Sequence, residues 1–220
     1  MTPTTSNNYI QQPKVSTPKT RGYQIYTEEE FKKFLSVVED RKERFLFLML
    51  FHYGLRISEC LGLMWAEFKP DGLHIDRCAC VKNDEHTMIF TSPKTKNSYR
   101  VYPILECFKP YIKELRLQEY KDVQVFEAKL RRGSVWGQTT VRRLVIKYAA
   151  LAGVKAIRLH EFRHSCVSNL LMHKQPVRLV ARWAGDTESM VLNTYSHLLP
   201  NEKNVIADFM NDIDSEDDDD

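Results

Sequence analysis

Gly54-Leu55-Arg56-Ile57-Ser58-Glu59-Cys60-Leu61-Gly62-Leu63-Met64-Trp65 divides the chain into two kinds of pattern. Upstream, Lys42 to Tyr53 is dense in Phe, Leu and Met and stops at Gly54, a residue suited to the left-handed turn that closes a helix. A helix apolar on nearly every side belongs at the centre of a core. Before it, Thr27 with Glu30 forms a capping box, and Phe31, Phe34, Leu35 and Val38 recur at helical spacing, which predicts a helix from about Glu28 to Glu39.

Downstream of Arg56 a shorter helix is expected over about Ile57 to Met64. The character then changes. Leu73, Ile75, Val81, Met88, Ile89, Phe90, Val101 and Tyr102 lie in short β-leaning runs separated by the turn clusters Lys82-Asn83-Asp84 and Lys94-Thr95-Lys96-Asn97, which predicts one small antiparallel sheet. After Pro103 the helical period returns in Leu105 to Glu119, Thr139 to Ala152 with Gly153 closing it, His160 to His173, Pro176 to Ala184, about Glu188 to Tyr195, and Val205 to Met210. The fold class is mainly α with a small antiparallel β-sheet (α+β).

Residues 1–24, rich in Thr, Asn, Gln, Pro and Lys, read as a flexible arm; 25–210 as the folded domain; 211–220 as an acidic tail that buries too little to fold. The charge divides the same way. The chain has 32 Lys+Arg against 29 Asp+Glu, but eight of the acids fall in the last thirteen residues, so residues 1–207 carry a net charge of +11. Such a body suits an anionic polymer, although charge alone fits a solvated basic surface equally well. With 43% apolar and 28% charged residues the composition is ordinary for a globular protein and excludes collagenous or wholly disordered chains. The longest apolar run, Phe45 to Phe51, is too short to cross a bilayer, and Met1–Asn8 has no secretory pattern, so a cytoplasmic chain without a membrane partner is expected. Five cysteines without framework spacing read as reduced thiols. Cys78 and Cys80, with His74 and His86 nearby, lack the second closely spaced ligand pair that zinc requires, so no metal is expected.

Four stretches carry possible chemistry. Arg56 sits at a turn directly after the helix-ending Gly-Leu, and Glu59, three residues on, is placed to orient its guanidinium through a charge-assisted hydrogen bond. In Leu159-His160-Glu161-Phe162-Arg163-His164-Ser165, the spacing of three puts His160 and Arg163 on one helical face, where an imidazole and a permanent cation can meet one phosphate. Lys94 lies in a hairpin turn. Tyr195 ends a short helix before Ser196-His197. Each feature alone is an ordinary surface or helix-face feature.

In this order and spacing they resemble the catalytic domain of the tyrosine recombinases, the phage and transposon integrase family, over about Glu28 to Leu199. Gly-Leu-Arg-Ile-Ser-Glu with the following Leu-Met-Trp, Leu-His-Glu-Phe-Arg-His-Ser, and Thr-Tyr-Ser-His carry the resemblance. It implies a site-specific recombinase that breaks and rejoins double-stranded DNA through a 3′-phosphotyrosyl intermediate in a bacterial or phage or transposon host cell. Tyr195 would be the nucleophile, Arg56 and Arg163 the clamp on the nonbridging oxygens, His160 the acid/base toward the nucleophile, and Lys94 the acid for the leaving 5′-oxygen. No cofactor or metal enters this scheme. A non-catalytic DNA-binding relative is the alternative, and a type IB topoisomerase a distant one; a pure binder needs neither the tyrosine nor the hairpin lysine.

Two departures stand out. The family has His or Trp nine positions before the tyrosine, where this chain has Asp186, after Ala184-Gly185. A carboxylate repels a phosphate, so either Asp186 accepts a hydrogen bond from a neighbour or the site is weakened. Trp183, three residues earlier, is a less fitting substitute. The resemblance also implies a separate core-binding domain, which 24 arm residues are too few to form, so the chain reads either as an excised catalytic domain or as a short member. The Val205 to Met210 helix either docks into a neighbouring protomer of a synaptic tetramer or packs in cis.

Overall fold

Two side-chain clusters organise the protein, and the candidate functional residues lie where they meet. In the computed structural model, residues 22–81, 88–91, 99–117, 123–128, 135–199, 206–207 and 209–211 are described. The arm up to residue 21, the tail from 212 and both expected turn clusters lie outside the described residues.

Helix α1 (Glu28–Ser36) opens with the expected capping box: the Glu30 amide donates to Thr27 Oγ1 (3.2 Å), and Thr27 N–H to Glu30 Oε2 (2.9 Å). Helix α2 (Arg41–His52) starts at Asp40, whose carboxylate accepts from the amides of Lys42 and Glu43. Phe45 through Phe51 are all buried, as an all-round apolar helix requires. Helix α2 packs against α3 (Ile57–Leu61), α4 (Lys109–Leu117) and α6 (Leu159–Met172), while α1 packs against α5 (Gln138–Ala152). Aromatic rings fill the space between them: Phe31 stacks on Phe51 at 3.8 Å, and Phe34 meets Phe47 edge-on at 4.9 Å.

A second, smaller cluster joins α6 to α7 (Val177–Ala184) and α8 (Glu188–Tyr195) through Val167, Leu171, Val180, Ala181, Ala184, Val191 and Tyr195. A 3₁₀ turn, Ser196–Leu198, follows α8. Helices α5 to α8 match their periodicity to within a residue or so, but α4 begins later than expected. A 3₁₀ turn at Glu106–Phe108 precedes it, and Pro110 falls in its first turn, where a missing N–H costs least.

The expected strand residues all fall in strands, yet they form two sheets rather than one. Strands β1 (Phe68–Lys69), β2 (Gly72–Ile75) and β5 (Arg100–Tyr102) make an antiparallel sheet with β2 in the middle, pairing Phe68 with Leu73 and Leu73 with Tyr102. The β3–β4 ribbon (Cys78–Val81, Met88–Thr91) stands apart. Both edges of β2 are already taken, so the ribbon has no edge of β2 to join. Cys78 and Cys80 both approach Thr91 Oγ1, while His74 is held by Asp71. Among the described residues no group of three or more His, Cys, Asp and Glu could hold a metal, and no helix is long and apolar enough to cross a membrane.

Candidate active site

The site begins at the end of α2. Gly54 takes a φ of +60°, which turns the chain so that Arg56 becomes the N-cap of α3. Glu59, at the third helical position, accepts the Arg56 backbone N–H at 2.9 Å and its guanidinium Nη1, also at 2.9 Å. The other side of the same carboxylate receives Arg100 Nη2 from β5 at 2.8 Å. Burial alone would raise the Glu59 pKa, but Arg100 and Arg56 outweigh it and hold the carboxyl below its usual range. Glu59 therefore stays charged while buried, and it orients Arg56.

Arg163 reaches the same place from α6. It is 3% exposed; its Nη1 donates to the Gly54 carbonyl at 2.8 Å and its Nη2 to Asp186 Oδ2 at 2.6 Å. Arg56 Nη2 donates to Asp186 Oδ1 at 3.0 Å. One carboxylate thus bridges the two arginines expected to clamp a phosphate. Asp186 thus accepts hydrogen bonds from two neighbours. Trp183 is placed elsewhere: it packs against Tyr53 and Tyr102 and donates its indole N–H to the His52 carbonyl.

Asp186 is delivered by the α7–α8 corner. Gly185 closes α7 with φ +70°, and the Asp186 N–H donates to the Ala181 carbonyl. A Cβ at Gly185 would lie 1.7 Å from Arg100 Nη1, so the corner and Arg100 fit only because the side chain is absent. Gly185→Ala is expected to lower stability by about 2 kcal/mol or more, combining left-handed strain with displacement of a buried ion-paired arginine. Urea unfolding measures this, and a midpoint equal to wild type would mean that Arg100 moves aside freely.

Tyr195, 6% exposed at the end of α8, is held against α6. Its phenol lies 2.5 Å from His164 Nδ1, Tyr23 stacks on His164 with ring centroids 4.4 Å apart, and Tyr23 also meets Tyr195 edge-on at 5.6 Å. Burial, then Tyr23, pushes the phenol pKa up, so Tyr195 is protonated at rest and shares a hydrogen bond with the His164 imidazole. His160 stands perpendicular to His164 at 4.9 Å, and burial together with Arg163 and Arg56 lowers its pKa.

His164 is held at about 4, by burial first and then by His160. In the unfolded chain an imidazole titrates near 6.5, so between those values the unfolded state binds more protons at this position. The stabilisation is complete above about pH 6.5 and is lost as pH falls through about 4. The urea midpoint is expected to drop across that window and to drop less in His164→Gln. Equal slopes in the two proteins would place the titration at other groups.

The fold brings Arg56, Glu59, His160, Arg163, Asp186 and Tyr195 together, while Lys94, between β4 and β5, lies outside the described residues. Three contributors escaped the sequence reading. His164 lies four residues after His160, a helical spacing that could have suggested a shared face. Arg100 carried no signal beyond its place in a strand, and Tyr23 sits at the end of the expected arm.

The family model described as "Phage integrase family" matches residues 24–202. A XerC-like tyrosine recombinase of Caldanaerobacter subterraneus subsp. tengcongensis is 29% identical, the match covering 86% of this chain and 54% of that protein. The ICEBs1 integrase of Bacillus subtilis is 30% identical over 89% of this chain and 56% of its own length. The chain therefore spans about half the length of these curated relatives. In fold it is similar to the Tn1549 transposon integrase in complex with circular intermediate DNA (TM-score 0.71, 20% identity, 88% of this chain and 68% of that one). It is also similar to XerA recombinase (TM-score 0.59, 15% identity, 89% and 66%). With most of its length matched by the family model, this chain belongs to the phage integrase family.

Proposed function

We propose that the chain cleaves and rejoins double-stranded DNA at specific sites through a 3′-phosphotyrosyl intermediate on Tyr195. The observation that carries this reading is the convergence of Arg56 and Arg163 on one anion, Asp186, with the Tyr195 phenol held one residue along α6 from Arg163. In this reading the two guanidiniums take the nonbridging oxygens of the scissile phosphate and stabilise the charge that builds up in the pentacoordinate transition state. The phenol oxygen attacks phosphorus, a Tyr195 O–P bond forms and the P–O5′ bond breaks. The phenol proton passes to the imidazole pair, His164 being in contact and His160 beside it. Burial lowers both imidazoles most, and an incoming phosphate offsets the part that arginine charge adds. Lys94 supplies the proton to the leaving 5′-oxygen. The phosphotyrosyl bond conserves the bond energy, so rejoining is the same step in reverse.

Residues 25–210 are the catalytic domain in this proposal, with the preceding arm and the acidic tail outside it. Assembly into a synaptic tetramer on DNA belongs to it as well. The helical residues near the end support self-association, since Ile206 (62% exposed), Phe209 (63%) and Met210 (56%) leave an apolar face uncovered in the single chain. The similarity in fold to the Tn1549 transposon integrase in complex with circular intermediate DNA supports a DNA substrate.

The experiment is incubation with a pool of nicked suicide duplexes randomised around the nick, followed by a denaturing gel. A protease-sensitive adduct on a selected sequence is expected. Its absence across the pool, also when a relative's core-binding domain is added, would sink the reading.

A further inference from the structure

Each clamp arginine has an anchor besides Asp186. Arg163 is fixed through Nη1 on the Gly54 carbonyl, and Arg56 through Nη1 on Glu59. The Nη2 groups of both guanidiniums go to Asp186, one to each carboxylate oxygen. Two oxygens of one anion, each accepting from a different guanidinium, is the arrangement that the nonbridging oxygens of a phosphodiester would adopt. We infer that the Asp186 carboxylate is an internal occupant of the phosphate site, competing with the substrate for the same two N–H groups. The inference rests on the reading of Arg56 and Arg163 as the clamp given under Proposed function.

Three further features favour competition over simple support. The backbone of Asp186 is pinned by its N–H on the Ala181 carbonyl, by Gly185 packed on Arg100, and by Thr187, which caps α8. The carboxylate can therefore leave by rotating its own side chain, without the corner moving. The local charge also fits: Arg56, Arg100 and Arg163 against Glu59 and Asp186 leave one positive charge, and turning the aspartate outward adds to the field the phosphate meets. Finally, Arg56 is 35% exposed at its side chain and Asp186 19%, so an anion arriving from solvent meets the Arg56 N–H first and takes the buried Arg163 N–H, 3% exposed, as the carboxylate turns away. The DNA site is thereby closed to weak anions, and a substrate gains entry only when its other contacts hold the phosphate in place.

The test compares tungstate, a tetrahedral oxyanion, binding to wild type and to Asp186→Asn by calorimetry with the full chain. An occupant that fills the site most of the time lowers apparent affinity in proportion, so ~10-fold tighter binding is expected in the variant. Equal or weaker binding would overturn the inference and make Asp186 a support for the arginines. If Asp186→Asn does not fold, the carboxyl carbon resonance of Asp186 in wild type decides: it must shift at saturating tungstate, and an unmoved resonance overturns the inference. Running the suicide-duplex assay on both proteins separates the two claims. Tighter tungstate binding with no adduct from either protein sinks strand cleavage and leaves the competition standing; adducts with equal tungstate affinity sink the competition alone.

Discussion

Tyr195→Phe is expected to abolish the covalent protein–DNA adduct while leaving DNA binding as it was. The phenol oxygen is the only atom removed, and in the proposed reaction it is the atom that bonds to phosphorus. Loss of a nucleophile typically costs a factor on the order of 10⁴ or more, below detection on a gel. The fold should tolerate the change. Tyr195 is 6% exposed and belongs to the same buried cluster as Val167, Val180 and Val191, so Phe fills the same space and only the hydrogen bond with His164 is lost, about 1 kcal/mol. Gel shift at matched salt checks binding, and the denaturing gel checks the adduct. An adduct that persists in the variant would name another nucleophile, and Tyr23, with its ring 5.6 Å from that of Tyr195, would be the first to test.

The second large effect belongs to Arg163. Arg163→Ala removes a buried guanidinium and leaves the Gly54 carbonyl without that donor and Asp186 with one arginine fewer, in a place that is 3% exposed. Breaking a buried ion pair from one side costs about 3–5 kcal/mol, a large share of a domain's total stability, so the variant should unfold at much lower urea. Arg163→Lys separates stability from chemistry. Lysine keeps the charge but lacks the fork that reaches the Gly54 carbonyl and Asp186 at once. Cleavage is expected to fall by roughly 10²–10³ while the protein stays folded, the range seen when one preorganised donor to a developing oxyanion is lost. A lysine variant that cleaves as fast as wild type would show that charge alone suffices there and that the fork geometry is incidental.

The helices were legible because their signals are local. Thr27 and Glu30 cap α1, the unbroken apolar run of α2 can only be a centre, and Gly153 and Gly185 close α5 and α7 in the left-handed region. The start of α4 was misjudged because apolar spacing continues through the 3₁₀ turn before it. Strand residues were legible one by one, but not their division into two sheets, since that depends on which edge of β2 is free once β5 has returned from far along the chain.

For the site, local pattern placed Arg56 at a turn, His160 and Arg163 on one helix face and Tyr195 at a helix end, and it was the resemblance carried by their order and spacing that implied their roles. Which groups Asp186 bonds to was not legible: its partners are 130 and 23 residues distant in sequence, and both are reached only through the packing of α6, α7 and the α2–α3 turn. Arg100 and Tyr23 were missed for the same reason, and His164 despite its spacing of four from His160. The sequence by itself determined which segments are helices and which residue types are available for phosphate chemistry, because caps and periodicity act over a few residues. Only the tertiary structure decided which groups meet, because a hydrogen bond forms between side chains within about 3 Å in space whatever their separation along the chain.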